Sequence, residues 1–241
     1  MLTFSNRTAK EILRDPLNLA FGLGFPVALL LLLSAIQANV PVSMFELEKL
    51  TPGISVFGLS FMTLFSATLV AKDRESALLQ RLYTTPLTAM DFIFGYILPI
   101  LPIALAQCVV TYIVAIILGL KITVTMIYAI LCIIPISLFF ICLGLLCGSI
   151  FNVKQVGGIC GALITNLTGW FAGIWFDISL VGGAFEKIAN ALPFVHMVSL
   201  EKAILNGNYS GISTDILWIA LYTVASVVIS ILLFLRQMKR Q

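Results

Sequence analysis

Six stretches of the chain contain no Asp, Glu, Lys or Arg: 16–45, 50–71, 92–120, 122–153, 155–176 and 216–235. Each reaches or exceeds the ~20 residues with which a helix crosses about 30 Å of hydrocarbon. Backbone polar groups in lipid must be paired within their own segment, so these runs predict helices. The alternating pattern of an outer-membrane barrel is absent. Six spans are expected, at about 17–38, 52–72, 89–118, 123–150, 154–176 and 215–235. Pro26, Pro99, Pro102 and Pro135 predict kinks inside them. The fifth is rich in glycine, and Gly157–Gly161 fits the GxxxG spacing that permits close helix contact.

The polar breaks carry their own patterns. Residues 1–15 predict a short interfacial helix, with Ser5 as N-cap and Asp15-Pro16 as its end. Phe4, Ile12 and Leu13 would dip into the membrane interface while Arg7, Lys10 and Arg14 meet head groups. A plain basic flank that only sets topology is the competing reading. In residues 71–88, AKDRESALLQRLYTTPLT, Asp73 can cap a short helix over 73–86. Leu78, Leu79 and Leu82 fall on one face, with Arg74, Gln80 and Arg81 elsewhere. Thr88 and Asp91 make a T-x-x-D capping box that opens the third span. The loop 177–214 predicts two short helices separated by Pro193, the second ending at Asn206-Gly207. Its Phe185, Ile188, Leu192, Phe194, Val195 and Met197 are too apolar for a water-bathed loop. They imply helices that re-enter the membrane or cap the bundle.

Composition converts these helices into a membrane protein. Of 241 residues, 60% are hydrophobic and 10% charged, against roughly a quarter charged in soluble domains. Too few charges remain to coat a water-soluble globule. The expected class is an all-α integral membrane protein. Orientation follows from Lys and Arg. With both termini cytoplasmic, ten lie inside (Arg7, Lys10, Arg14, Lys72, Arg74, Arg81, Lys154, Arg236, Lys239, Arg240) and four outside (Lys49, Lys121, Lys187, Lys202). The net charge of +3 is this asymmetry, and nucleic-acid binding is not expected. The apolar run after residue 16 is too long for a signal peptide and reads as a first span. The five cysteines all sit in apolar runs without CxxC spacing and read as small hydrophobes.

Catalytic patterns are missing. There is no HExxH, no G-x-S-x-G and no pair of acids within a run, and the single histidine, His196, lies in the outer loop. The six runs also lack the ionisable groups an ion-coupled carrier usually keeps at membrane depth. Asp177, after Trp170 and Trp175, reads as an interface residue. If ATP supplies the energy, its site must be elsewhere, because no G-x-x-x-x-G-K-[ST] loop is present. A separate ATPase needs a handle on these helices. The leucine face at 78–82 can provide one by a helix-in-groove contact, or can pack as an ordinary interfacial loop on its own helices.

Residues 73–99, DRESALLQRLYTTPLTAMDFIFGYILP, resemble the signature of type-2 ATP-binding-cassette (ABC) exporter permeases. Arg74-Glu75, Leu82, Pro86-Leu87 and Gly95 match it, while Ser76-Ala77 replaces the usual Gly-Thr. LPFVHMVSLEKAILNG (192–207) is similar to the family's segment before its last span. The resemblance implies a bacterial plasma-membrane permease paired with a second copy or homologue and with two ATPase subunits. ATP and Mg would bind to those subunits and no cofactor to this chain. It implies a coupling helix of Arg74, Glu75, Leu78, Leu79, Arg81, Leu82 and Tyr83, with residues 5–14 as a second ATPase contact. The substrate would be a drug, lipid, glycan or peptide moved outward. Its path would run along spans 2 and 5, where Phe57, Phe61, Phe65 and Thr68 form one stripe and Asn166, Trp170 and Gly173 another. The phenylalanine stripe can equally be packing. An ion-coupled carrier or channel, and a scaffold that transports nothing, are the alternative functions.

Overall fold

The computed structural model describes residues 2–40, 45–76, 78–83 and 88–238, and every regular element among them is helical. They are α1 (Leu2–Leu13), α2 (Pro16–Leu19), α3 (Phe25–Asn39), α4 (Leu47–Glu75), α5 (Leu78–Tyr83), α6 (Ala89–Ile117) and α7 (Thr125–Ile150). There follow α8 (Val153–Val156), α9 (Thr165–Phe171), α10 (Ile178–Val181), α11 (Gly183–Ala191), α12 (Pro193–Leu205) and α13 (Ile212–Met238). Ala20–Gly24 and Gly157–Ile164 are π-helical turns that join α2 to α3 and α8 to α9. The first π turns have a cause in Pro26, whose ring crowds the carbonyl four residues back, at Gly22. Pro99, Pro102 and Pro135 instead lie inside unbroken helices.

Among the described residues, five helices are long and apolar enough to cross a membrane: Ala20–Asn39, Leu47–Glu75, Ala89–Ile117, Thr125–Ile150 and Ile212–Arg236. The fifth expected span is more polar, with Gln155, Thr165, Asn166 and Thr168 in it, and its helix stops at Phe171 rather than 176. Its packing still carries it the length of the bundle. Glu75 accepts a hydrogen bond from the Val153 amide, Val156 and Cys160 cluster with Ala67 and Ala71, and Gly53 abuts Ile174. The stretch therefore follows α4 antiparallel from residue 75 back to 53, about 33 Å of helix.

α4 is the central strut and is almost wholly buried. Its closest partner is α7, through two glycines spaced as GxxxG. A Cβ on Gly144 would collide with Ser66 and the Thr63 carbonyl; one on Gly148 would lie 2.5 Å from the Ala67 carbonyl oxygen. Thr63 and Ser66 hydroxyls donate to the Phe140 and Ile141 carbonyls, each at 3.0 Å. Interhelical bonds of this kind contribute only about 0.6 kcal/mol each, so the missing side chains set the close approach. The GxxxG predicted to make such a contact behaves otherwise: Gly157 faces open space and Gly161 only touches Leu64.

At the end of the bundle away from α5, α11 and α12 form the bent pair expected before the last span, turning by 76° at Pro193. α12 ends at Asn206, with Gly207 at φ +67°. His196 fastens α12 to its neighbours. Its Nδ1 lies 2.7 Å from Asp215, its Nε2 lies 3.0 Å from the Asn190 carbonyl oxygen, and its ring stacks on Trp218.

Two local expectations change. α1 begins at Leu2, so Ser5 lies inside the helix and does not cap it. α4 runs unbroken to Glu75, so Asp73 is helical and buried and does not cap a separate helix. The short helix that follows is confined to α5; residue 77 and residues 84–87, with Pro86-Leu87, lie outside the described residues.

Candidate coupling site

The last turn of α4 reads Lys72-Asp73-Arg74-Glu75. Successive helical side chains are rotated by about 100°, so four in a row point around the whole helix. Each reaches a different element. Lys72 lies 3.5 Å from Asp15, between α1 and α2. Asp73 receives both guanidinium nitrogens of Arg7 on α1, at 2.8 and 2.6 Å, and the phenol of Tyr96 on α6, at 2.7 Å. Arg74 donates to the Ser149 carbonyl and, at 2.6 Å, to the Phe151 carbonyl, satisfying the end of α7. Glu75 accepts from the Val153 amide at 2.9 Å and so caps the start of α8.

Asp73 is the anchor of this hub. It is 1% exposed, and a carboxylate there is tolerable only because it is paired bidentately and hydrogen-bonded again by Tyr96. Arg7 is held above its ordinary pKa, chiefly by the hydrogen bond to Asp73. Arg7 also pairs with Glu11 at 2.8 Å, whose carboxyl is pushed up by burial first and by the charge of Asp73 next.

α1 is seated by the same contacts. Phe4, Thr8 and Ile12 occupy one face and are all buried. Phe4 packs edge-on against Phe92 and Tyr96, in space that exists because position 95 is glycine; a Cβ there would meet the Phe4 ring. The apolar face assigned to the membrane interface is thus covered by protein at Phe4 and Ile12, and only Leu13 stays exposed. Arg7, assigned to head groups, points instead to Asp73.

α5 is the next helix along the chain after the hub. Leu79 is buried in the chain's own core and pins the helix down; Leu78 is half-buried, and Arg81 is exposed. The side chains of Leu82 and Tyr83 lie outside the described ones. The Thr88–Asp91 capping box forms as expected: Thr88 accepts from the Asp91 amide, and Asp91 accepts from the Thr88 amide at 3.0 Å.

The two stripes expected along a substrate path are not brought together. Phe57, Phe61 and Phe65 are buried, with Phe25 of α3 against Phe57 and Phe61 and Gly22 against Phe65. Phe57 also meets Trp175. Thr68 lines a small cleft with Glu11, Ile12 and Asp15. On the other stripe, Asn166 and Trp170 are exposed, while Gly173 sits in the turn after α9 at φ +65°.

A bundle of apolar helices with a charged hub at one end, where the last turn of α4 is tied to four other elements, defines an integral membrane protein. Residues 1–205 match the family model of the ABC-2 type transporter, and the chain belongs to that family. It is the transmembrane, permease subunit of such a transporter, and the family implies a partnering ATP-binding subunit that carries the ATPase site. No curated protein matches the chain.

Proposed function

We propose that this permease works as a pair of chains, identical or homologous, with two ATP-binding subunits, and exports an amphipathic substrate such as a drug, lipid, glycan or peptide. ATP and Mg bind on those subunits, and α5 and the open face of α1 receive them. The Lys and Arg asymmetry supports a cytoplasmic hub and an external α11–α12 cap.

The observation that carries this reading is the hub. A push on α5 enters α4 at its last turn, and that turn is fastened to α1, α6, α7 and α8. Motion at one short helix is thereby shared among most of the bundle. Within α5, Leu79 anchors the helix, while Leu78 is half-buried and Arg81 exposed, and docking falls to the latter pair. The exposed Asn166 and Trp170 supply the substrate-facing surface between two copies.

The test is co-purification and ATP-driven flux with Leu78→Asp. A charge on the docking face should reduce recovery of the ATP-binding subunit and abolish coupled flux, while the variant itself unfolds at the wild-type temperature. Undiminished association would remove α5 as the docking element.

A further inference from the structure

Hydropathy places Glu201 in an outer loop, but the fold buries it completely. α12 packs between α4, α7 and α13, and the Glu201 side chain enters the bundle beside Tyr112 of α6. The Tyr112 phenol lies 3.2 Å from Oε2; Oε1 has no hydrogen-bond partner among the described residues. Two further buried oxygens without partners, Thr51 Oγ1 and Gln107 Oε1, lie on α4 and α6. The nearby titratable groups are Tyr112 and Cys108 from α6 and Cys132 from α7. None of them is a cation. Basic and acidic groups on the packed elements are engaged otherwise: Lys49 with Glu46 on the α4 side, and His196 with Asp215 between α12 and α13. Lys202, next to Glu201 in sequence, lines an open outer cleft with Asp177.

A carboxylate with one phenol donor, one bare oxygen and no cation is untenable at this depth; a neutral carboxyl is not. We propose that Glu201 is a buried proton-binding site that keeps α12 docked on α4 and α6. With the proton bound, the side chain is neutral and the cap stays closed. Loss of the proton leaves a carboxylate that only water can stabilise, and water reaches it when α12 lifts. The proton then passes to the aqueous phase on the cap side. That this side is external rests on the topology proposed above; proton binding itself does not.

The test is infrared spectroscopy of the full chain in lipid nanodiscs at neutral pH, as wild type minus Glu201→Gln. Glutamine mimics the neutral acid, so the variant should fold and unfold like wild type. The difference spectrum should contain one protonated-carboxyl C=O band, displaced in Tyr112→Phe and insensitive to added sodium or potassium. Wild type minus Asp73→Asn should show carboxylate bands instead and calibrates the measurement. Carboxylate bands for Glu201 at neutral pH, or a carboxyl band abolished by sodium or potassium, would overturn the proposal. The result does not depend on transport, so it stands or fails apart from the export reading. Where coupled flux is measurable, Glu201→Gln should flatten its dependence on external pH.

Discussion

Asp73 and Glu201 are both buried acidic side chains, and α6 sends a phenol to each: Tyr96 to Asp73 and Tyr112 to Glu201. Positions 96 and 112 of one helix stand about 24 Å apart along its axis. The difference between the two ends is a cation. Asp73 has Arg7 at hydrogen-bonding distance through Nη1 and Nη2, and among the described residues Glu201 has no cation near it. A phenol alone is a weak partner for a buried charge, whereas a bidentate guanidinium stabilises one. So one end of the bundle is locked by an ion pair, and the other is closed by a group that must stay neutral. A lock of the first kind is suited to transmitting force; a closure of the second kind can be released.

Removing the cation is the largest perturbation of this contrast. Arg7→Ala strands a buried carboxylate. Breaking a fully buried pair costs about 3–5 kcal/mol, and the 40% exposure of the Arg7 side chain lowers the expected loss to about 2–3 kcal/mol. Thermal unfolding in detergent should show it. Asp73→Asn placed on top of Arg7→Ala should recover most of the loss, because the stranded charge is then gone. A double variant as unstable as the single one would mean that Arg7 acts through packing and not through charge.

The two ends communicate only if the strut between them is rigid. Gly148→Val places a branched side chain against the backbone of Ala67 and should cost about 1–3 kcal/mol by overpacking. Gly157→Ala, on the open face of the π turns, meets nothing within 4 Å and should leave stability unchanged or slightly higher. Similar unfolding temperatures for these two variants would contradict the tight α4–α7 seam.

That seam also shows what the amino-acid order makes legible. GxxxG spacing recurs along the chain, at Gly144–Gly148 and at Gly157–Gly161 among others, and spacing alone cannot say which faces a neighbour. Local signals read correctly: the Thr88–Asp91 box, the break at Pro193 and the stop at Asn206-Gly207 each depend on residues within one turn. The hub was not legible, because Arg7 and Asp73 are 66 positions apart and no periodicity links them. Asp73 resembled a helix cap because acids favour caps, and the continuing burial of α4 overrode that preference. Glu201 was hidden for a different reason. A scan for charge-free runs assigns every charged residue to the water phase, and α12 folds back into the bundle with its carboxyl inward.

The two tyrosines give the smallest effect and the sharpest comparison. Each changes to phenylalanine with the loss of one oxygen and no change of shape. At Tyr96 the lost hydrogen bond ends on a carboxylate paired with Arg7, and bonds to charged groups contribute about 1.5–3 kcal/mol. At Tyr112 it ends on a group proposed to be neutral, for which about 0.5–1.5 kcal/mol is expected. Tyr96→Phe should therefore destabilise more, by roughly 1 kcal/mol. The two tyrosines are similarly buried, so desolvation does not supply the difference. Adding Asp73→Asn should shrink the Tyr96→Phe loss, while adding Glu201→Gln should leave the Tyr112→Phe loss nearly as it was. Equal losses in the single variants, together with equal shrinkage in the doubles, would mean that both carboxyls carry the same charge, and the contrast between a locked end and a releasable one would then have no basis.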